Sequence, residues 1–285
     1  MTTPHYVIRG GMEGRERLRV LARVMWPTTD ALFTRVGIER TARCLDVGCG
    51  GGDVTVALAL RVPDGAVVGI DVDETKIELA RAEAADAGVD NVEFRLQNVM
   101  DPAADGDGFD VVYTRFLLTH LPDPAVALTN MRERLVPGGV LLVEDIDFTG
   151  HFCEPDSPAF WRYVELYSKA VQSRGCDPNI GPRLPRLLRE AGFERLDVNV
   201  VQPAGISGDV KLISPLTLEA IADAVLAAGL ADPDELGEVV DELYTFAEED
   251  GAFMSIPRVV QAWGYNPVAP GPAPGAPRSS ALPQG

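Results

Sequence analysis

The sequence predicts an α/β fold, a doubly wound sheet of seven mostly parallel strands with helical lid insertions. The main observation is that apolar, strand-like segments alternate five times with helical segments between residues 43 and 146. Right-handed crossovers then make a parallel sheet with helices on both faces the economical arrangement. A helix and a sixth strand follow in residues 181–201. Residues 253–265 would return as an antiparallel seventh strand.

The first strand, residues 43–47, runs into a glycine-rich turn. The segment CLDVGCGGGDVT, residues 44–55, predicts a buried strand, a turn and the start of a helix. Its glycines allow backbone angles and close approaches that a Cβ would block, so a ligand here would touch bare backbone. Asp53 is expected to cap the helix that follows. The pattern is typical of a site for a nucleotide-type cofactor.

The spacing of the turn distinguishes two kinds of cofactor site. The dinucleotide fingerprint G-x-G-x-x-G would need a glycine where this sequence has Asp53. The pattern present is D-x-G-x-G-x-G, from Asp46 to Gly52. Its leading carboxylate disfavours a pyrophosphate but tolerates a cationic ligand. The segment resembles the first motif of the Rossmann-like, class I S-adenosylmethionine (SAM)-dependent methyltransferases, of the bacterial small-molecule type.

Polar residues also fall at the ends of the later predicted strands. Asp71 closes the second strand about twenty residues beyond the turn, where an acidic residue can accept from ribose hydroxyls. Asn98 and Arg115 stand at the ends of the third and fourth strands. Because ligands of open α/β sheets bind beyond the carboxyl ends of the strands, these residues and Asp46 are expected along one rim.

The resemblance covers residues 43–146, and more loosely the chain to residue 265, and it implies SAM as the cofactor. It also implies that the turn glycines line the methionine part of SAM, that Asp71 holds the ribose and that Val72 packs on the adenine. Asn98 stands where the family most often has Asp, and its side-chain oxygen can still accept from the adenine amine. The cofactor-binding residues expected on this basis are Asp46, Gly48, Gly50, Gly52, Asp71, Val72, Asn98, Val99 and Arg115.

The sequence offers two candidate catalytic positions. Methyl transfer from a sulfonium depends mainly on positioning and needs a base only where the nucleophile must lose a proton. His120 is the first candidate, in a segment, residues 115–124, that resembles the family's segment beneath the reacting methyl. A packed or capping His is the alternative interpretation. Glu144, with Asp145 and Asp147 nearby, is the second, although carboxylates at strand ends more often cap helices or face solvent.

Two helical insertions, at about residues 150–180 and 212–250, are expected to form a lid that chooses the acceptor. The first insertion predicts a helix with an apolar stripe, a feature that is more often core than pocket wall. The candidate acceptor-contacting residues of the lid are His151, Phe160, Trp161, Tyr163 and Tyr167.

The two ends of the chain differ from the Rossmann-like domain, residues 41–265. Residues 1–40 predict an N-terminal helical segment, and its exchange between subunits would give a homodimer. Arg17 in this segment, like Arg115, can pair with a carboxylate of SAM or of the acceptor, but a solvated helix face is the preferred interpretation. The Pro/Gly/Ala tail, residues 266–285, predicts disorder.

Composition limits the class of acceptor. The net charge of −18 would repel a nucleic-acid backbone, so neither DNA nor RNA is expected to bind. The fourth strand ends in Tyr-Thr-Arg and not in the Pro-Pro box associated with methylation of adenine and amide nitrogens. No Pro-Cys pair offers a nucleophile for cytosine. A small molecule remains as the acceptor.

Location and metal content follow from similar arguments. No apolar run is long enough to cross a bilayer, and the first residues lack the apolar region of a signal peptide, so a cytoplasmic protein is expected. The four cysteines show no paired spacing and are compatible with reduced thiols. Neither they nor the three histidines have the local spacing of a metal site, so no metal is expected.

The sequence therefore predicts an enzyme that transfers methyl from SAM to an oxygen, nitrogen or carbon of a small organic acceptor. Antibiotic biosynthesis or another bacterial secondary-metabolite pathway is the expected setting. Two alternatives stay open. One is an enzyme on the same scaffold that uses SAM as a fixed cation for cyclisation or decarboxylation, and the other is a non-catalytic SAM-binding subunit.

Overall fold

The computed structural model describes residues 12–102 and 108–268. Its main sheet has seven strands in the order β3-β2-β1-β4-β5-β7-β6, and β7 alone runs antiparallel to its neighbours β5 and β6. The strands are β1 (Arg43–Val47), β2 (Ala66–Asp71), β3 (Val92–Leu96), β4 (Phe109–Arg115), β5 (Leu135–Asp147), β6 (Glu194–Val201) and β7 (Arg258–Tyr265). The predicted fold class, with its antiparallel seventh strand, is confirmed.

Eight α-helices lie within the described part of the chain. They are α1 (Met12–Val36), α2 (Asp53–Arg61), α3 (Glu74–Asp86), α4 (Pro124–Glu133), α5 (Pro158–Gln172), α6 (Leu184–Glu190), α7 (Ile213–Ala227) and α8 (Pro233–Glu248). Residues 1–11 and 269–285, which include most of the predicted tail, lie outside the described residues.

Alternating side chains along the strands bury both faces of the sheet. In β1, Leu45 and Val47 pack in the cluster that contains Leu128 of α4 and Leu188 of α6. Cys44 packs on the opposite face with residues of α1 and α2. This period-two alternation, with a helix layer on each face, is the doubly wound arrangement that the sequence predicted.

Four helices pack together beyond the end of β5. The buried residues of α1, α5, α7 and α8 form one apolar cluster with Ile146 and Phe148. On α5 the predicted apolar stripe is buried, including Tyr163 and Tyr167, and the hydroxyl of Ser157 caps the helix by accepting from the N–H of Phe160 at 3.3 Å. This cluster places α1, α5 and α7 around the carboxyl end of the sheet.

Two local predictions were wrong. Asp53 does not cap α2, because the cap position is occupied by Gly52 and no side chain bonds to the cap. The seventh strand begins at Arg258, since Phe253–Ser255 instead joins a small antiparallel sheet with Cys153–Glu154 and Ala204–Gly205.

Candidate active site

Three polar residues at strand ends meet beside one cleft. The pairing of β1 with β2 and β4 sets Asp46 opposite Gly69 and Tyr113, one residue from the end of β1. Asp71 is the last residue of β2, and Arg115 is the last residue of β4. All three side chains line the cleft. The rim of polar strand ends therefore exists for β1, β2 and β4.

The turn after β1 is fixed against β2 by its own backbone. The N–H groups of Gly48 and Cys49 both donate to the carbonyl of Ile70, at 2.8 and 3.0 Å. Gly48 has a φ of +74°, and a Cβ there would lie 3.3 Å from a methyl carbon of Leu117. Any other residue at this position would strain the backbone and crowd Leu117. The turn thus presents nearly bare backbone to the cleft.

The carboxylate of Asp71 joins this turn to the end of β2. The side chain is buried, and one oxygen accepts from the N–H of Gly50 at 3.1 Å while the other accepts from the N–H of Asp73 at 3.0 Å. A carboxylate has about four lone-pair sites, so Asp71 can accept further hydrogen bonds from a ligand in the cleft. Two neighbouring hydroxyl groups, as on a ribose, match this capacity.

Asp46 is the second carboxylate of the rim. It is buried and accepts a hydrogen bond from the hydroxyl of Thr55 at 2.6 Å. Burial raises the pKa of Asp46 to about 6, while the Thr55 hydrogen bond and the charge of Arg115 oppose the shift. A cationic ligand would favour the ionised form, because an opposite charge stabilises a carboxylate.

Within the described part of the chain, four of the expected cofactor-binding residues do not line the cleft. They are Gly52, Val72, Asn98 and Val99. Gly52, with a φ of +87°, supports a close helix contact, since a Cβ there would lie 2.8 Å from the Cβ of Ala80. The oxygen of Asn98 accepts from the N–H of Met100 at 3.0 Å, and Val99 is buried in the core. Val72 is half-buried. Cofactor contacts by these four residues stay predictions.

His120 lines the cleft from the loop after β4. The loop is anchored at Thr119, whose N–H donates to the buried carboxyl of Asp145 at 3.2 Å and whose hydroxyl donates to the carbonyl of Asp177 at 2.9 Å. Burial, together with the smaller effect of the charge of Arg17, lowers the pKa of His120 to about 3. The imidazole is therefore neutral at physiological pH.

Glu144, the second candidate base, does not line the cleft. Its side chain is fully buried in a hydrogen-bond network. One oxygen accepts from the hydroxyls of Thr29 at 2.7 Å and Tyr113 at 2.6 Å. The other accepts from the amide of Gln261 at 2.6 Å. These bonds join α1, β4, β5 and β7, so the geometry gives Glu144 a structural role.

The structure divides the five candidate lid residues. Tyr163 and Tyr167, one helical turn apart on α5, line the cleft. Phe160 is fully buried and packs with Phe246 of α8, which makes it core. Trp161 points away, since its side chain is exposed and its indole N–H donates to Asp156 at 2.7 Å.

His151 lies behind the cleft wall. It is buried against the ring of Phe148, with the ring centroids 4.4 Å apart, and its Nδ1 is 2.8 Å from the carbonyl oxygen of Phe148. An Nδ1–H tautomer would donate that bond. Burial lowers the pKa of His151 to about 4. It supports the cleft wall rather than contacting the cleft.

The preferred interpretation of Arg17 as a solvated residue was wrong. Arg17 is 9 % exposed, lines the cleft, and donates from Nε to the hydroxyl of Thr217 on α7 at 3.2 Å. A sequence signal was present, because Val20, Leu21 and Val24 follow Arg17 at helical spacing and place it on the apolar face of α1.

Other cleft residues gave no clear sequence signal. Phe116 follows β4 with a φ of +54°, a strained conformation for a residue other than glycine and one that clusters at functional sites. Thr217 and Ile256 reach the cleft from segments distant in sequence. Cys49 and Lys76 line it next to the glycine turn.

The cleft is one continuous space with two chemically different ends. It contains about 1270 Å³ of empty space, counting the part open to solvent. At one end lie the glycine turn, Asp46 and Asp71, and at the other lie Tyr163, Tyr167 and apolar side chains of α7 and the segment before β7.

Comparisons with known proteins agree with this geometry. Residues 38–175 match a family model described as a methyltransferase domain. The O-methyltransferase cnsE of Penicillium expansum is 30% identical over 225 residues, which cover 77% of this chain and 73% of that protein. The chain belongs to the class I SAM-dependent methyltransferases. SAM is therefore its cofactor.

Solved structures show the same fold for this methyltransferase. A Bacillus halodurans protein assigned as a methyltransferase aligns with a TM-score of 0.57 and 22% identity, covering 84% of this chain and 98% of that one. The [4+2]-cyclase SpnF aligns with a TM-score of 0.53 and 22% identity, covering 85% and 82%. A Haemonchus contortus phosphoethanolamine N-methyltransferase, in complex with SAM, aligns with a TM-score of 0.54 and 16% identity, covering 87% and 56%.

The residues of the cleft fit SAM in this methyltransferase. The positive φ of Gly48 and the Leu117 side chain beside it leave a cradle that a Cβ would crowd, next to exposed backbone. Asp71 has lone pairs left for hydroxyl donors, and Asp46 would favour a cation. The lone pairs of Asp71 match the hydroxyls of a ribose, and the carboxylate of Asp46 matches a sulfonium.

Within residues 12–102 and 108–268, no group of three His, Cys, Asp or Glu side chains is placed to hold a metal ion. None of the described helices is both long enough and apolar enough to span a membrane. The four cysteines are free.

Proposed function

We propose that this methyltransferase transfers the methyl group of SAM to an oxygen of a small organic acceptor by in-line displacement. The observation that carries the proposal is the single cleft that joins the glycine turn and Asp71 to an aromatic wall formed by Tyr163 and Tyr167. The name of the Penicillium expansum relative, an O-methyltransferase, favours oxygen as the acceptor atom.

The cofactor would occupy the end of the cleft at the sheet. There Asp71 would accept from the ribose hydroxyls, and the backbone of Gly48 and Gly50 would pack against the methionine part. Asp46 would place a negative charge, and Arg115 a positive charge, beside the cofactor. When bound, SAM would supply an electrophilic methyl group on a sulfonium and would leave as S-adenosylhomocysteine, while an acceptor hydroxyl would lose its proton to solvent.

The acceptor would occupy the other end. Tyr163 and Tyr167 of α5, with Thr217 of α7, form its wall, so the two helical insertions would act as a lid and choose the acceptor. This wall would hold the acceptor in line with the methyl group, and positioning of this kind can supply most of the rate enhancement. A small secondary-metabolite-type acceptor fits this wall better than a nucleic acid, which the net charge of −18 would repel.

His120 would act as a hydrogen-bonding partner of the acceptor rather than as a strong base. A general base works best with a pKa near the operating pH, and the pKa of His120 is lowered to about 3 by burial and by neighbouring cations. We expect His120→Ala to lower kcat by less than the roughly hundredfold that removal of a general base costs. A loss of that size or larger, with SAM affinity unchanged, would restore the base assignment.

The experiment that tests the proposed function uses SAM labelled in its methyl group. The full chain is incubated with this cofactor and a panel of phenols, enols and carboxylic acids, and the products are analysed by mass spectrometry. Label on an acceptor oxygen supports the proposal. An altered but unlabelled acceptor would indicate cyclisation or decarboxylation instead, and SAM binding without any product would indicate a binding subunit. Asp71→Ala is the control for cofactor-dependent turnover.

A further inference from the structure

Arg17 is a buried cation without an acidic partner among the residues that the structure describes. Its side chain is over nine-tenths buried, and its hydrogen bond is to the neutral hydroxyl of Thr217. Other arginines of α1 are paired with acids: Arg15 and Arg19 with Glu83, and Arg23 with Asp209. A buried charge is costly unless it is paired, so a buried Arg17 without an acidic partner indicates a binding site for an anionic ligand.

The surroundings of Arg17 form a built site. The guanidinium faces Tyr163 and Tyr167 of α5, Thr217 of α7, and His120, and all of these side chains line the same cleft. Tyr and Thr hydroxyls can donate hydrogen bonds to an anion, and the aromatic rings can pack on an apolar frame. The site therefore combines one fixed positive charge with apolar walls.

We propose that Arg17 binds an oxyanion of the acceptor, so that the acceptor is a small, largely apolar organic acid. This inference rests on the proposed function, because it names the substrate class of the same cleft. The guanidinium offers donors in a planar fork, which suits a carboxylate better than a neutral carbonyl.

Position favours the acceptor over the cofactor as the source of the oxyanion. Three neighbours of Arg17, namely Tyr163, Tyr167 and Thr217, belong to α5 and α7, the helices of the two lid insertions. The predicted cofactor residues that line the cleft belong instead to β1, β2, β4 and the turn after β1. A second cation, Arg115, lines the cleft beside Asp46 and Asp53, where the cofactor would lie. A carboxylate on SAM thus has another positive group available.

Calorimetry on the full chain saturated with S-adenosylhomocysteine tests this proposal without requiring turnover. The probes are matched acid and amide pairs: benzoate with benzamide, cinnamate with cinnamamide, and octanoate with octanamide. At least one carboxylate should bind about tenfold or more tightly than its amide, the gain expected for a charge-assisted hydrogen bond. Arg17→Gln should abolish this preference while leaving amide affinity unchanged, and Arg17→Lys should restore part of it.

The matched control is Arg23→Gln, on the same helix but with an exposed side chain, and it should keep the preference. Thermal melts check that each variant folds, and the wild-type preference is informative even where a variant does not. The proposal is overturned if no carboxylate is preferred in the wild type, or if Arg17→Gln weakens S-adenosylhomocysteine binding and leaves the preference intact. A carboxylate preference without any methyl transfer would refute the proposed function but not the anion site.

Discussion

The carboxylate of Asp71 accepts a hydrogen bond from the backbone N–H of Gly50 at 3.1 Å, across 21 residues of sequence. This bond fixes the turn after β1 against the end of β2, while the N–H groups of Gly48 and Cys49 bind the carbonyl of Ile70. One side chain thus shapes the glycine turn and also presents lone pairs to the cleft. The proposed cofactor site is in this sense preorganised by the sheet.

The two glycines Gly52 and Gly88 provide a matched test of close helix packing. Both have positive φ, but a Cβ on Gly52 would lie 2.9 Å from the backbone Cα of Ala80, and a Cβ on Gly88 would meet nothing within 4 Å. Gly88→Ala should cost about 1 kcal/mol of unfolding free energy, from the backbone conformation alone. Gly52→Ala should cost roughly 3 kcal/mol, because overpacking adds to the same strain. Urea unfolding measures both, and equal losses would contradict the packing role of Gly52.

Glu144 should prove structural. Glu144→Ala removes the acceptor of three buried hydrogen bonds, from Thr29, Tyr113 and Gln261, and leaves these donors without it. We expect a loss of about 3 kcal/mol or more in unfolding free energy. Turnover per folded molecule at a permissive temperature should fall far less than the roughly hundredfold expected for a lost base. The opposite pattern, stable protein with little turnover, would make Glu144 catalytic.

His151 should make the fold sensitive to acid. Its pKa is lowered by burial to about 4, against about 6.5 in an unfolded chain. Between these values the unfolded chain binds a proton that the folded chain does not, so stability falls as the pH drops from 6.5 toward 4. The contribution is on the order of 3 kcal/mol.

His151→Asn keeps a donor for the carbonyl of Phe148 without a group that titrates in this range. Urea unfolding between pH 4 and 7 should then show a shallower loss of stability than the wild type. His120, whose pKa is lowered to about 3, contributes in the same direction and should remain visible. If the unfolding free energy of His151→Asn depends on pH as steeply as that of the wild type, His151 is not the cause of the acid sensitivity.

The rim of the cleft was predictable from the sequence, whereas much of its far wall was not. Asp46, Asp71 and Arg115 stand at the ends of periodic apolar segments, and parallel strands bring such ends to one edge. Asn98 was expected at the end of β3, but β3 ends at Leu96, and the Asn98 oxygen accepts from the N–H of Met100 and does not line the cleft. A strand end thus predicts the edge but not the direction of each side chain.

The far wall depends on contacts between distant segments. Arg17 became a cleft residue because α1 packs on α7, and its partner Thr217 is 200 residues away in sequence. On α5 the position of each residue around the helix determines whether its side chain reaches the cleft. Tyr163 and Tyr167 face the cleft, and Trp161 faces outward to Asp156. The stripe of apolar residues was visible in the sequence, but which part of it meets core or cleft depends on where α8 and Phe148 lie.

The central claim is that Asp71 and the glycine turn hold the adenosyl cofactor, and titration calorimetry with S-adenosylhomocysteine tests it directly. The wild type should bind one equivalent, and Asp71→Ala should bind at least about tenfold more weakly because charge-assisted hydrogen bonds to the ribose are lost. Glu74→Gln, an exposed acid on the neighbouring helix α3, should bind as the wild type does. No heat with the wild type, or equal affinity in a folded Asp71→Ala, would contradict the account.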